Sequence, residues 1–473
     1  MANLKKNFAY NSFLTVSTYL INLIIFPYCA RVLGVERFGT INFAQNIVQY
    51  FLFIGAMGIT HIGVREIAKQ KDKEDLNECF SSILSLNILF TFFSLLIYIP
   101  IILFVNKLSV QKELFFLGGI QLLFSSFSIE WFYRGIEDYK FITIRSIIIK
   151  IIYIASVFIF INDSDDYVLF YALTVFSIVI NIAVNFLYSI KFVTFSFKNL
   201  NIKKYFKSSL LLGFYSILTS MYTTFNVTYL GFVWNDTEVG YYTTSLKIYS
   251  VVLGFYTAFT SVMLPRMSAV AKDHDEISFK KLINSSFELL LTFSLPLLVC
   301  LMIMAPEIVW VLAGEEYMPS VLLSRIIMPM LLVVGIAQIL VFQIIIPKGL
   351  DGVTFKGSII GAFVGVLLNI ILTTKYSSVG TCITVVITEL CVTGYYIYIV
   401  NKHKMLYFNF KIIYNHILWT LPYLIFCVCS KVLVKDNEFI TLFISVLSSL
   451  LYFVISQKYL IKNPLFQRRG TAS

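Results

Sequence analysis

Charge is what this 473-residue chain has least of: 26 acidic and 37 basic residues make up 13% of it, against 58% hydrophobic residues. A water-soluble domain carries nearer a quarter charged residues, so water is not the main solvent of this chain. Its four histidines, His61, His274, His403 and His416, form no cluster with acids or cysteines. The seven cysteines are odd in number and scattered, without the spacing of a disulfide framework or a zinc site. No G-x-x-x-x-G-K-[ST] run occurs, which excludes an ATP-driven motor on this chain. No loop is long enough for a soluble catalytic domain.

What is present is apolar sequence in long runs. Mean hydropathy is +0.82, and fourteen spans of about 17 to 26 residues are each long enough to cross a bilayer as a helix. They fall near 8–30, 40–62, 79–104, 113–133, 143–161, 168–190, 208–233, 240–264, 282–304, 321–346, 358–374, 379–400, 412–434 and 438–457. Lipid leaves no partner for open backbone groups, so these runs predict an all-α polytopic membrane protein. The first run, after Lys5 and Lys6, exceeds the apolar core of a cleavable signal and is expected to be retained.

The loops alternate in charge. With the N-terminus cytoplasmic, the inner loops and tails collect most of the basic residues. Among them are Arg65/Lys69/Lys71/Lys73, Lys198/Lys203/Lys204/Lys207, Arg266/Lys272/Lys280/Lys281 and Arg468/Arg469. Asp163, Asp165, Asp166, Asp236, Glu238, Glu315 and Glu316 then lie outside. Under the positive-inside rule both termini are cytoplasmic, and the net charge of +11 is an orientation signal rather than a nucleic-acid footprint.

The chain also resembles itself. Glu36-Arg37-Phe38-Gly39 lines up with Thr237-Glu238-Val239-Gly240, and Arg134-Gly135-Ile136-Glu137 lines up with Lys348-Gly349-Leu350-Asp351. Both pairs sit at equivalent loops of spans one to six and seven to twelve. This predicts two parallel six-helix lobes, residues 1–200 and 201–405, with spans thirteen and fourteen and a basic cytoplasmic tail in 406–473. Such lobes without a motor describe a secondary transporter, with Pro27, Pro296, Pro329 and Pro422 as candidate kinks.

Polar residues inside the spans mark the candidate path. Span two carries Asn42, Gln45, Asn46 and Gln49; span one carries Asn11, Thr15, Thr18 and Asn22 on one face. Ser216, Ser220, Thr223 and Asn226 in span seven, and Thr243, Lys247 and Ser250 in span eight, are similar. Small hydroxyls at this spacing also serve plain helix packing. Charges in spans cost roughly 2.5 to 3.5 kcal/mol on insertion scales and need a partner or water. Lys150, Lys247 and Arg325 are the basic ones, and Glu288 and Glu389 are the acids, readable as proton carriers or as counter-charges. Cations lining a wet path point to an anionic solute such as a phosphate or pyrophosphate ester.

Several segments, in order, resemble the Wzx-type polysaccharide and O-antigen flippases of the multidrug/oligosaccharidyl-lipid/polysaccharide exporter superfamily. They are Arg31-Val32-Leu33-Gly34 with Phe38-Gly39, Gly63-Val64-Arg65-Glu66-Ile67-Ala68 and Glu130-Trp131-Phe132-Tyr133-Arg134-Gly135-Ile136-Glu137. Gly240-Tyr241-Tyr242, Leu264-Pro265-Arg266-Met267-Ser268, Gly314-Glu315-Glu316-Tyr317, and Gly361, Asn369 and Glu389 continue the series. The resemblance implies a non-enzymatic carrier in the bacterial inner membrane. It would flip an undecaprenyl-pyrophosphate-linked oligosaccharide, driven by a proton or sodium gradient and with no other cofactor. A polysaccharide polymerase and a chain-length regulator are the expected protein partners. The implied substrate positions are Arg31 and Lys247, joined from the residue reading by Arg325 and the span-two amides. Arg31 equally suits a helix C-terminus at the headgroups. The rivals are a multidrug antiporter or a lipid II flippase of the same superfamily and, from another class, a membrane glycan polymerase. The absence of Asp and Glu from spans one and two argues against a carrier for organic cations.

Overall fold

A computed structural model describes residues 2–196, 200–273, 275–403, 410–434 and 437–457. Lys198, His274 and the Arg468/Arg469 tail lie outside the described residues, as do the side chains of Asn11 and Thr223. The described chain is helical almost throughout and holds no strand. Among the described residues, nine helical stretches are long and apolar enough to cross a membrane. Two of these, 13–67 and 352–402, are about twice the length of one crossing and are broken by kinks at Gly34 and Ser377. All fourteen runs read from the sequence are helical over most of their length. The fold is that of an all-α, multi-pass membrane protein.

The chain divides into two compact units, with boundaries inside continuous helices: residues 1–243 with 358–388, and residues 244–357 with 389–473. The first unit begins with α1 (Ala2–Ala56), α2 (Ile59–Ile67), α3 (Lys73–Phe104), α4 (Asn106–Ser109), α5 (Lys112–Ser125), α6 (Glu130–Gly135) and α7 (Tyr139–Phe160). It continues through α8 (Tyr167–Ser189), α9 (Ile202–Thr223), α10 (Phe225–Val233) and the start of α11 (Asp236–Lys272). Residues 31–39, which read as a loop, instead continue α1, bent at Gly34. Gly34 has φ 72°, a left-handed conformation that glycine adopts without a side-chain clash. α1 packs on α3, α5 and α7, and α5 packs on α8. An aromatic core of Phe80, Trp131, Phe132 and Tyr133 fixes the short α6 against α2 and α3.

The second unit takes the rest of α11, then α12 (Glu276–Ile303), α13 (Ala305–Ala313), α14 (Ser320–Ile327) and α15 (Met330–Ile339). Pro329 separates α14 from α15, as a residue without a backbone N–H would. α16 (Asp351–Leu368) and α17 (Thr374–Lys402) pass through both units, and α18 (Phe410–Leu433) and α19 (Glu438–Ile455) complete the second. α12 packs on both α15 and α18, with Met267, Phe279, Ile283, Leu290 and Ile339 in the buried core. Lys431 of α18 pairs with Glu307 of α13 at 2.9 Å.

Candidate functional site

The polar face of α1 is divided between helix-satisfied and open amides. Asn42 is buried and donates to the Phe38 carbonyl at 2.6 Å, and Asn46 donates to the Asn42 carbonyl at 2.8 Å. These bonds close on the helix itself, which is how such amides are tolerated at depth. Gln45 and Gln49 are partly exposed, so the amides available to a ligand are on the Gln45/Gln49 side. Arg31 is exposed just before the Gly34 bend. The hydroxyls of spans seven and eight behave like Asn42: Ser216, Ser220 and Thr243 bond to carbonyls three or four residues back.

Nearer the basic-loop end, α6 and α7 bring three charges together. Arg134 donates from Nε and Nη2 to Glu130 Oε1 at 3.0 and 2.6 Å. Arg145 Nη2 stands 3.8 Å from Glu130 Oε2, donates to Ser146 Oγ at 3.0 Å, and its guanidinium lies 5.7 Å from the Phe141 ring centre. The Arg145 side chain is 5% exposed, and its Nε and Nη1 make no hydrogen bond. Counting charges in spans by sequence alone overlooked Arg145, because it sits two residues inside the expected start of its span. Lys150 lies on α7 further along and donates to the Thr18 hydroxyl on α1, which itself donates to the Leu14 carbonyl at 2.8 Å.

At the acidic-loop end, the two repeat-related segments meet within the first unit. A methyl group built on Gly39 would collide with the Asp236 carbonyl, and one built on Gly240 would collide with the Val35 carbonyl. The contact is reciprocal: Asp236 precedes Gly240 as Val35 precedes Gly39, by four residues in each case. Side chains fasten the same place. Asp236 Oδ2 lies 2.8 Å from the Thr40 hydroxyl and accepts from Gln111 Nε2 at 2.7 Å. Lys107 donates to the Gly231 and Trp234 carbonyls at the end of α10, where a cation offsets the helix dipole. Burial pulls the Lys107 pKa down, and the nearby Asp236 carboxylate opposes the shift. The Ser378 hydroxyl donates to Glu238, and Trp234 Nε1 donates to the Thr373 carbonyl at 2.8 Å. Behind this seal lies an uncharged knot: Asn369 donates to Asn226 Oδ1 at 2.6 Å and accepts from Thr373 at 2.8 Å.

In the second unit, Lys247 on α11 is partly buried. Arg325 is exposed and its Nε donates to the Met302 carbonyl at 3.0 Å, so one of its donors terminates α12. Glu288 on α12 and Glu389 on α17 are both partly buried.

A model of the family described as polysaccharide biosynthesis protein matches residues 4–271. An Escherichia coli (strain K12) protein named for O-antigen transport is 26% identical over 423 residues, covering 85% of this chain and 98% of that protein. The fold is similar to the lipid II flippase MurJ in an inward closed conformation, with TM-score 0.77, 18% identity, and 95% and 99% of the two chains covered. It is also similar to an inward-facing multidrug resistance MATE family transporter, with TM-score 0.61, 14% identity, and 82% and 97% covered. The family match spans more than half of the sequence: the chain belongs to the polysaccharide biosynthesis protein family, and the resemblance to Wzx-type flippases read from its motifs holds.

Proposed function

We propose that this protein flips an undecaprenyl-pyrophosphate-linked oligosaccharide repeat unit from the cytoplasmic to the periplasmic leaflet of the bacterial inner membrane, for O-antigen, capsule or exopolysaccharide synthesis. The observation that carries the reading is the family match over residues 4–271. The charge pattern supports it: cations in spans, with no acid in spans one and two, suit an anionic headgroup. The pyrophosphate engages Lys247, with Arg325 and Arg31 along its route, and the sugars hydrogen-bond Gln45, Gln49 and the neighbouring Asn42 and Asn46. The lipid tail stays in the bilayer. Glu288 and Glu389 are the groups for coupling to a proton or sodium gradient, and a polymerase and chain-length regulator take over the product. Both termini are cytoplasmic by the positive-inside rule.

The multidrug reading shares the fold, as the MATE likeness makes plain, and differs in the charge of its cargo. Lys247→Ala is expected to abolish surface glycan while the protein stays in the membrane at its normal level. Normal glycan with that variant would remove Lys247 from the path, and normal glycan in a strain deleted for the whole gene would sink the flippase reading.

A further inference from the structure

Lys150 is a half-buried cation inside a membrane span. Among the described residues its ammonium has one hydrogen-bond acceptor, the Thr18 hydroxyl, and no carboxylate at ion-pair distance. The acid that acts on it electrostatically is Glu130. That carboxylate is already committed, one oxygen to Arg134 and the other facing Arg145. Lys150 is thus left without an ion-pair partner of its own among the described residues. Acceptors are short as well, since Arg145 Nε and Nη1 are buried without partners. A cation inside a span is costly without a partner or water, and such residues mark substrate or ion pathways. On the other side of the seam, α1 presents Thr15 and Thr18, with Asn22 exposed one turn further along. This polar stripe belongs to the candidate path read from the sequence but takes no part in the binding route proposed above.

We propose that Lys150 and Thr18, on the seam between α1 and α7, are a phosphate-binding station for the pyrophosphate of the lipid-linked substrate, midway along α7 in the first unit. Arg145 acts through Glu130, holding that carboxylate away from Lys150. An ammonium with no carboxylate at ion-pair distance favours the more highly charged phosphate ligand. A pyrophosphate diester carries two negative charges near neutral pH, whereas the phosphate diester of an ordinary phospholipid carries one. The inference rests on the flippase reading for the identity of the lipid.

The test uses the purified full-length protein in detergent and measures binding of undecaprenyl pyrophosphate and, separately, of phosphatidylglycerol by native mass spectrometry. Lys150→Met should weaken undecaprenyl pyrophosphate binding about tenfold, the worth of one charge-assisted hydrogen bond. Phosphatidylglycerol binding should be unchanged, and Lys150→Arg should restore the tighter binding. Surface glycan should fall with Lys150→Met and return with Lys150→Arg. Equal binding of undecaprenyl pyrophosphate by wild type and Lys150→Met overturns the station. A parallel loss for phosphatidylglycerol overturns it too, assigning the seam to bulk lipid. If wild type itself fails to bind undecaprenyl pyrophosphate, the flippase reading falls first. Unchanged thermal unfolding of Lys150→Met separates lost binding from lost folding.

Discussion

Individual side chains in this protein are satisfied mostly by the helix they stand on, and the exceptions mark where a residue matters. Asn369 is such an exception. It is fully buried, and its amide reaches across to Asn226 while its oxygen accepts from Thr373. Asn369→Leu removes both at once and leaves buried polar atoms short of partners, at about 1–3 kcal/mol. The expected outcome is a lower melting temperature of the detergent-solubilised protein by several degrees, read by scanning fluorimetry. An unchanged transition would show that the knot is not structural. Residue identity was readable for Lys150, Lys247 and Glu389, because a charge in an apolar run announces itself. Arg145 was not, since it sits where span and loop cannot be told apart by composition. The sequence also could not tell Asn42, closed on its own helix, from Gln45, which is open.

At the scale of elements, the contact of 35–40 with 236–240 closes the acidic-loop end of the first unit. Gly39 and Gly240 let backbone touch backbone there, and Asp236, Thr40 and Gln111 fasten it. Under the proposed flipping cycle that end opens and closes, so a side chain that props it apart should stop the cycle. Gly39→Val is expected to leave membrane insertion intact, to abolish surface glycan, and to raise the labelling of a cysteine placed at Thr40 by a membrane-impermeant maleimide. The measurement requires a background with the seven native cysteines replaced, because Cys391 and Cys429 are exposed. Unchanged labelling together with normal glycan would rule out a gate at this point. The alignment of Glu36–Gly39 with Thr237–Gly240 was visible in the sequence. That the two copies touch each other was not, because internal similarity reports equivalence and carries no distance. The bend at Gly34 was hidden for a related reason: polar residues at 31–39 look the same whether they form a loop or a kinked helix.

For the whole molecule, the hydropathy pattern alone carries the fold class, since in lipid only helices and closed barrels can span, and runs of this length are helices. Orientation is a second global property, and it depends on a few dozen charges rather than on any local structure. Alkaline phosphatase fused at Asp165 or Glu316 should be active, and fused at Lys71 or Lys272 inactive, if the acidic loops face the periplasm. The reverse pattern would turn the molecule over and with it the direction of transport. The family assignment adds what neither hydropathy nor charge could supply, a class of cargo, while the choice of glycan rests on hydrogen bonds too weak and dispersed to leave a short motif.

The reciprocal glycine contact carries a consequence for how this chain can vary. Gly39 and Gly240 occupy one gap from opposite sides, so the two positions behave as a single energetic site. Once one side has been enlarged and the backbones have parted, enlarging the other costs little more, and the effects of the two changes do not add. The paired glycines thus tie the two segments together. Neither copy can drift in size alone, although both could change together once the seam has found a different way to close.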